Sequence, residues 1–463
     1  MIFRYVLLIY TQNITSRLQY ITKTLLGDAI ELTNNKEQFI LHAGIKINYS
    51  AERIDPKELW IQPHNLLFER EIKEQQIDCF EWNGLKVFFK TNADLPFDIF
   101  AASFYLLSRY EEYLPHTKDE YGRYDHKNSI AYKENFLQLP LVNLWMKEFE
   151  KEVEGKRCKA EATSNLTPYT LRPSPYPLNP KPFTFLPTYD IDIAFAYRHQ
   201  PLYLNIFGFY RDLLTGNIER VLERGNVYSG NKKDPFDVFD WLDQLHEQHQ
   251  LNPLYFFLLA DKRKGVDKNV SPRKKAMQNL VKKTAEKYDV GIHPSWQSGN
   301  EESREPGVGS RELETRLLNN EISILEKSTQ HKITKNRQHY LRFTIPQTFR
   351  RLIEAGIKEE YSMAYGNING FRASYTLPFY WFDLERNETT DLLIHPFCFM
   401  EATAVFEQKY SVEQTAEELQ YYFDMVRSVN GEFISLFHNH FLTEQQQWLP
   451  WRKMYEDFLQ KNF

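Results

Sequence analysis

The chain has little cysteine. Cys79, Cys158 and Cys398 are the only three in 463 residues, far apart and without CxxC spacing. That excludes a disulfide framework and a zinc ribbon, and it fits a reducing compartment. Long apolar runs are also missing: none reaches the ~18 residues a bilayer-spanning helix needs, so no membrane span is expected. The opening MIFRYVLLIY is broken by Arg4 and followed by no small-residue cleavage site. It therefore reads as a first buried strand, with the cytoplasm as the expected location. Charge does not lean strongly to one sign, since 57 Lys and Arg stand against 62 Asp and Glu, a formal net charge of -5. Such a balance gives no reason to expect nucleic acid or an anionic membrane as the main partner.

What is plentiful is aromatic: 28 Tyr, 34 Phe and 8 Trp. Such rings stack on sugar faces or fill a large core, and composition does not separate the two. The length allows two or three domains. Residues 1–154 read as an α/β unit, with a strand at 3–10, a helix at 16–26 and a helical stretch at 97–113. The SRYEEY segment of that stretch is expected to form surface ion pairs over a domain contact. Pro168, Pro173, Pro175, Pro177, Pro180 and Pro182 then crowd one short stretch, and residues 155–182 are expected to be an extended linker.

From 183 to 463 strand and helix signals alternate. Strands are predicted at 183–190, 254–260, 289–292, 360–364, 370–373, 391–395 and 432–437. Asp234 is the expected N-cap of the helix before the second of these, residues 298–310 read as a mobile loop, and Ser411 with Gln414 should cap a helix at 412–428. Repeated βα units imply a parallel sheet, here a distorted (β/α)7-type barrel following the N-terminal α/β domain. Reactive groups of such folds sit at the carboxyl ends of the strands. Asp190, Asp192, Asp261, His293, Arg372, His395 and His438 all fall at or just beyond such ends.

Asp190 and Asp192 are two residues apart, so both face one side if the strand persists, and two anions held that close need a cation or a shared proton. A carboxylate and imidazoles gathered from separate strand ends suit zinc or a similar divalent ion. A metal there would polarise a carbonyl and acidify a water, leaving a second carboxylate as base and a distant histidine as acid.

At this point TYDID, GIHPSWQS, GFRASYTLPFYWFD, LLIHPF and ISLFHNH, taken in order, resemble the motifs of the polysaccharide deacetylases with a NodB-homology domain, carbohydrate esterase family four, over about residues 183–445. The resemblance implies a distorted (β/α) barrel that removes N- or O-acetyl groups from a sugar or glycan with a divalent metal, Zn2+ first, then Co2+, Ni2+ or Mn2+. By it Asp190 is the general base, Asp192 and His293 are metal ligands, Arg372 orients Asp190, Asp383 holds Arg372, and His438 is the general acid. Gln297 stands where the family has a second metal-binding histidine. Either Ser298, His395 or Asp261 completes the set, or the metal is weakly held, or it is absent. Tyr375, Phe379, Trp381 and Trp296 are candidate stacking surfaces for the sugar.

The expected partner is thus a carbohydrate substrate, and the expected class is a deacetylase acting on non-peptide C–N or ester bonds. Two other readings stay open: a DxD glycosyltransferase, and a carbohydrate-binding barrel that lost its metal.

Overall fold

The computed structural model of the protein describes residues 7–162, 182–263, 265–299 and 310–463. Most of the expected proline-rich linker and of the loop at 298–310 lies outside the described residues.

The N-terminal region is built on a parallel sheet of β1 (Leu7–Tyr10), β2 (Ile30–Thr33), β3 (Lys46–Tyr49) and β4 (Leu59–Ile61), in the order β2-β1-β3-β4. A hairpin of β5 (Phe80–Trp82) and β6 (Leu85–Val87) follows. Helix Ser16–Leu26 runs as its apolar spacing predicts; the Thr15 hydroxyl accepts from Leu18 N, and Gly27 closes it at φ 74°. The helical stretch at 97–113 is in two pieces. Asp98 caps helix Ile99–Leu107, and Arg109 then turns left-handed at φ 53° into a tight turn, Tyr110–Tyr113. That turn drives the SRYEEY charges inward rather than onto the surface, and Arg109 and Glu112 are buried. Helix Leu141–Ala162 extends past the residue at which the linker was expected to begin.

The larger sheet holds β7 (Thr184–Ile191), β8 (Leu254–Leu258), β9 (Asp289–His293), β10 (Lys335–Asn336), β11 (Glu359–Glu360), β12 (Phe379–Asp383), β13 (Glu388–Ile394), β14 (Phe399–Met400) and β15 (Glu432–His438). Its order is β12-β13-β11-β10-β9-β8-β7-β15-β14. Every neighbouring pair is parallel except β12 with β13. The two ends, β12 and β14, do not pair with each other among the described residues. The expected mixed α/β architecture with a parallel sheet is therefore present. Ser411 and Gln414 form the expected capping box of helix Val412–Ser428.

Two expectations are corrected here. Residues 370–373 form no strand, because Phe371 N donates to the Leu137 carbonyl at 2.9 Å and Ser374 N turns back to the Phe371 carbonyl at 3.0 Å. Asp234 caps no helix either, since helix Phe239–His249 starts later. Its carboxylate instead accepts the N–H groups of Ala196, Tyr197 and Arg198, pinning the chain just beyond β7.

One apolar core spans both regions. Phe382 on β12 packs on Tyr20 at 5.0 Å and Phe104 at 5.2 Å between ring centroids. Tyr375, Phe379 and Trp381 are buried in this same core, so they are packing residues and offer no sugar-stacking face. Each such ring removed from water is worth about 1.5–3 kcal/mol.

Candidate metal centre

The alternation of β7 sets the site. Tyr189 points to the helical layer, where its hydroxyl meets His246 and Tyr455. Thr188 and Asp190 turn to the opposite face, and Asp192 follows two residues on, beyond the end of the strand. The register places His438 at the end of β15 directly beside Asp190, and His293 at the end of β9 beside Leu258. A two-residue strand, β10, delivers Arg337 and His339 to the same end of the sheet.

Three imidazoles converge on one carboxylate. His293 Nε2 lies 3.2 Å from Asp192 Oδ1, while His339 Nε2 and His438 Nε2 lie 3.5 Å and 3.7 Å from Asp192 Oδ2. Each ring is fixed from behind through Nδ1. That of His293 meets the Arg337 carbonyl at 2.6 Å, that of His339 meets Asp267 at 3.0 Å, and that of His438 meets Glu401 at 2.7 Å. A carbonyl can only accept, so Nδ1 of His293 carries the proton and, in the neutral ring, Nε2 presents a bare lone pair. Asp192 Oδ1, 3.2 Å away, is also only an acceptor and, among the described residues, has no hydrogen-bond partner although it is buried. Two lone pairs held that close need a cation between them, or a proton.

Asp192, His293 and His339 each offer one ligand atom, and these atoms lie within 4.8 Å of one another. A carboxylate and two imidazoles, with the imidazoles backed by outer acceptors, are the donors a divalent ion such as zinc takes. The residues present thus fit a metal. Without one, protons take its place. Burial raises the Asp192 carboxyl, but His339, His293 and His438 overcome that and hold it well below the usual range. Burial likewise lowers the two rings, yet Asp192 and Asp267 carry His339 up to about 9, and Glu401 and Asp192 carry His438 up to about 10.

Asp190 stands beside this group, with Oδ2 3.7 Å from His293 Nε2. Its cation is Arg337, whose Nη1 donates to Asp190 Oδ1 at 3.1 Å and to the Thr188 hydroxyl at 2.7 Å, while Nε donates to the Tyr361 carbonyl. The guanidinium lies over the Phe256 ring at 4.5 Å. Arg372 does not reach Asp190. Its Nε and Nη2 donate to Glu112 at 2.8 and 2.6 Å, and Nη1 to the Ala364 carbonyl. Asp383 does not hold Arg372 either; Arg350 takes both its oxygens, at 2.7 and 2.8 Å. The left-handed turn at Arg109 is the reason, because it places Glu112 where it claims Arg372 first.

The structure places the three expected third ligands with other partners. Ser298 donates to the Ser295 carbonyl at 2.8 Å, next to Glu321. His395 is shared by Glu432 at 2.9 Å and Glu359 at 3.3 Å and stacks on Tyr361. Asp261 pairs with Arg273 near the surface. The third candidate ligand atom beside Asp192 and His293 is offered by His339. Sequence reasoning missed it, together with Arg337, Asp267 and Glu401.

The side of His339 is aromatic, with the Tyr340 ring centroid 4.8 Å from its own. Trp296 and Tyr121 flank Tyr340, with ring centroids at 5.6 and 5.3 Å. All three rings are half-buried. Tyr121 belongs to the N-terminal region, and Arg123 from the same loop donates to the Tyr340 carbonyl.

A model of a family of unknown function (DUF7033) matches residues 7–157, the N-terminal region. No curated protein matches the chain. Among solved structures, Puue allantoinase shares 12% identity, covering 64% of this chain and 91% of its own at a TM-score of 0.39. A probable polysaccharide deacetylase from Pseudomonas aeruginosa PAO1 shares 12%, covering 65% and 91% at 0.38. IcaB from Ammonifex degensii shares 13%, covering 40% and 85% at 0.24. Likeness this distant leaves the chemistry of the chain to be read from its own side chains.

Proposed function

We propose that the chain is a metal-dependent hydrolase that removes N- or O-acetyl groups from a sugar or glycan, on a sheet of the distorted deacetylase barrel type. The observation that carries this reading is the convergence of His293, His339 and His438 on Asp192, with Asp190 beside them. Asp192, His293 and His339 would hold the ion, Zn2+ first. Bound there, such an ion lowers the pKa of water and polarises an acyl carbonyl. Asp190, oriented by Arg337, accepts the proton of the attacking water. His438, its Nδ1 anchored on Glu401, returns a proton from Nε2 to the departing amine or alcohol. Trp296, Tyr340 and Tyr121 offer the sugar apolar faces on the side of His339.

The other readings lose their motive. Gln297 suggested a lost metal, but His339 offers a ligand atom close to those of Asp192 and His293. A DxD glycosyltransferase would place both aspartates on the metal, whereas Asp190 is engaged by Arg337. The test is acetate release from N- and O-acetylated oligosaccharides by the zinc-loaded chain. Release that disappears in Asp190→Asn and His438→Ala while zinc stays bound supports the assignment. A zinc-loaded chain inert on every acetylated sugar, yet active in transfer from a sugar nucleotide, would end it.

A further inference from the structure

Between Asp192 and the helix that leads to β8, the chain inserts a helical hairpin, Leu202–Leu214 and Ile218–Ser229. Its polarity is reversed. The residues it buries are Asn205, Gly208, Asp212 and Arg224, together with Val227. Arg224 donates to Asn205 Oδ1 at 2.9 Å and to Asp212 Oδ2 at 2.8 Å. Gly208 is required beneath it, because a Cβ there would lie 2.7 Å from the guanidinium. The outward surface is apolar: Leu202, Tyr203, Phe207 and Leu214 are 66–86% exposed, and Tyr210 and Leu213 are exposed beside them. Water gives no reason to build a helix this way, since an apolar stripe ordinarily faces the core.

The second feature lies beside it. The loop after β8 and the start of the next helix, residues 261–275, carry seven Lys and Arg against two Asp, although the whole chain is acidic. Lys262, Lys268, Arg273, Lys274 and Lys275 are exposed. Arg263 donates to Gln200 at the foot of the hairpin, which ties the two elements together. Both leave the carboxyl ends of the neighbouring parallel strands β7 and β8, so both lie at the end of the sheet that carries Asp192 and His293. The balanced overall charge concealed this local excess.

We infer that this face docks on an anionic phospholipid bilayer, with the outward side chains of helix Leu202–Leu214 seated at the acyl boundary and the 261–275 segment on the head groups. An apolar helix surface next to clustered cations is the combination such interfaces select. The helix is too short to span a bilayer, so the contact is interfacial. This inference does not rest on the hydrolase reading.

The test is flotation of the full chain with phosphatidylcholine vesicles, with and without phosphatidylglycerol. Binding is expected to the anionic vesicles alone and to weaken with salt. Phe207→Glu with Leu214→Glu should reduce it by on the order of tenfold or more. Both side chains are exposed, so an unchanged circular-dichroism melt is expected. Lys262→Glu with Lys268→Glu and Lys274→Glu, on a separate element, should remove the anionic preference and keeps the test decisive if the hairpin variant unfolds. Failure to float with either vesicle, equal flotation with both, or flotation indifferent to these variants overturns the inference. So does self-association that Phe207→Glu and Leu214→Glu abolish in a chain that binds no vesicle, for then a second copy covers the face.

Discussion

Arg337 stands to Asp190 as His339 stands to Asp192. The arginine donates to the first carboxylate at 3.1 Å and the imidazole lies 3.5 Å from the second. Each pair is two residues apart in sequence, so an i, i+2 face of one segment meets an i, i+2 face of another. The metal prediction follows directly. His339→Ala should lower zinc affinity at least as far as His293→Ala does, and Asp267→Asn, by freeing the His339 ring, should cost about 10–100-fold. Ser298→Ala, His395→Ala and Asp261→Ala should leave affinity unchanged. Competition with a chromogenic chelator, read on each purified variant, checks all six.

Arg337 itself is predicted to be a positioning residue. Arg337→Lys keeps the charge but cannot serve Tyr361, Thr188 and Asp190 at once from a planar fork. Turnover should fall by roughly 100-fold, the scale that a small misplacement of a reacting group costs. KM and zinc content should stay near those of the parent chain. A fall in zinc content with turnover would show that Arg337 acts on the metal group instead.

The difference in legibility between these residues is physical. Asp190, Asp192, His293 and His438 end strands of five to eight residues, and strands of that length leave a readable apolar pattern. β10 is only two residues long and leaves none, so nothing in the apolar pattern marked Arg337 and His339. The signal that could have found them is the spacing itself, a cation and an imidazole at i, i+2 matching the two aspartates. Arg372 misled because its match to an arginine within a family motif assigned it to Asp190, while the partner it takes, Glu112, lies in the region whose left-handed turn at Arg109 no apolar periodicity announces. The helices were easier, since Ser16–Leu26 and Val412–Ser428 each carry both a stripe and a cap.

Glu112 makes the joint between the two regions sensitive to acid. Burial raises its pKa, but Arg372 and Arg109 outweigh that and bring it down to about 2. The unfolded chain titrates near ~4.3, so this carboxylate binds fewer protons folded than unfolded between those values. Its contribution is therefore complete above about pH 4.3 and is lost as pH falls toward 2, a change of about 3 kcal/mol. Urea unfolding followed across that range should show stability falling with acid, with a shallower fall in Glu112→Gln. Arg372→Met leaves the buried carboxylate with Arg109 alone and should cost somewhat less than the ~3–5 kcal/mol of a wholly unpaired buried charge. Loss of stability in that variant no greater than at a surface arginine would place the joint elsewhere.

The strand that carries His293 has no room to spare. A Cβ on Gly291 would lie 2.5 Å from Phe256 Cε1 and 2.9 Å from the Lys335 carbonyl oxygen on β10. The oxygen is backbone and cannot swing aside. The Phe256 ring is held between the Arg337 guanidinium and Tyr361, at 4.5 and 5.4 Å. Gly291→Ala must therefore separate β9 from β10, and overpacking of this kind costs about 1–3 kcal/mol. The separation acts on the site as well, because the Arg337 carbonyl that fixes His293 belongs to the segment pushed away. Zinc affinity should fall together with the melting temperature. Gly225→Ala is the control: no atom lies within 4 Å of its Cβ, it sits in helix Ile218–Ser229, and alanine there should be neutral or stabilising by up to about 1 kcal/mol. Calorimetry of the two variants with and without zinc separates the effects. Gly291→Ala should gain less from the metal than the parent chain, and Gly225→Ala should gain as much.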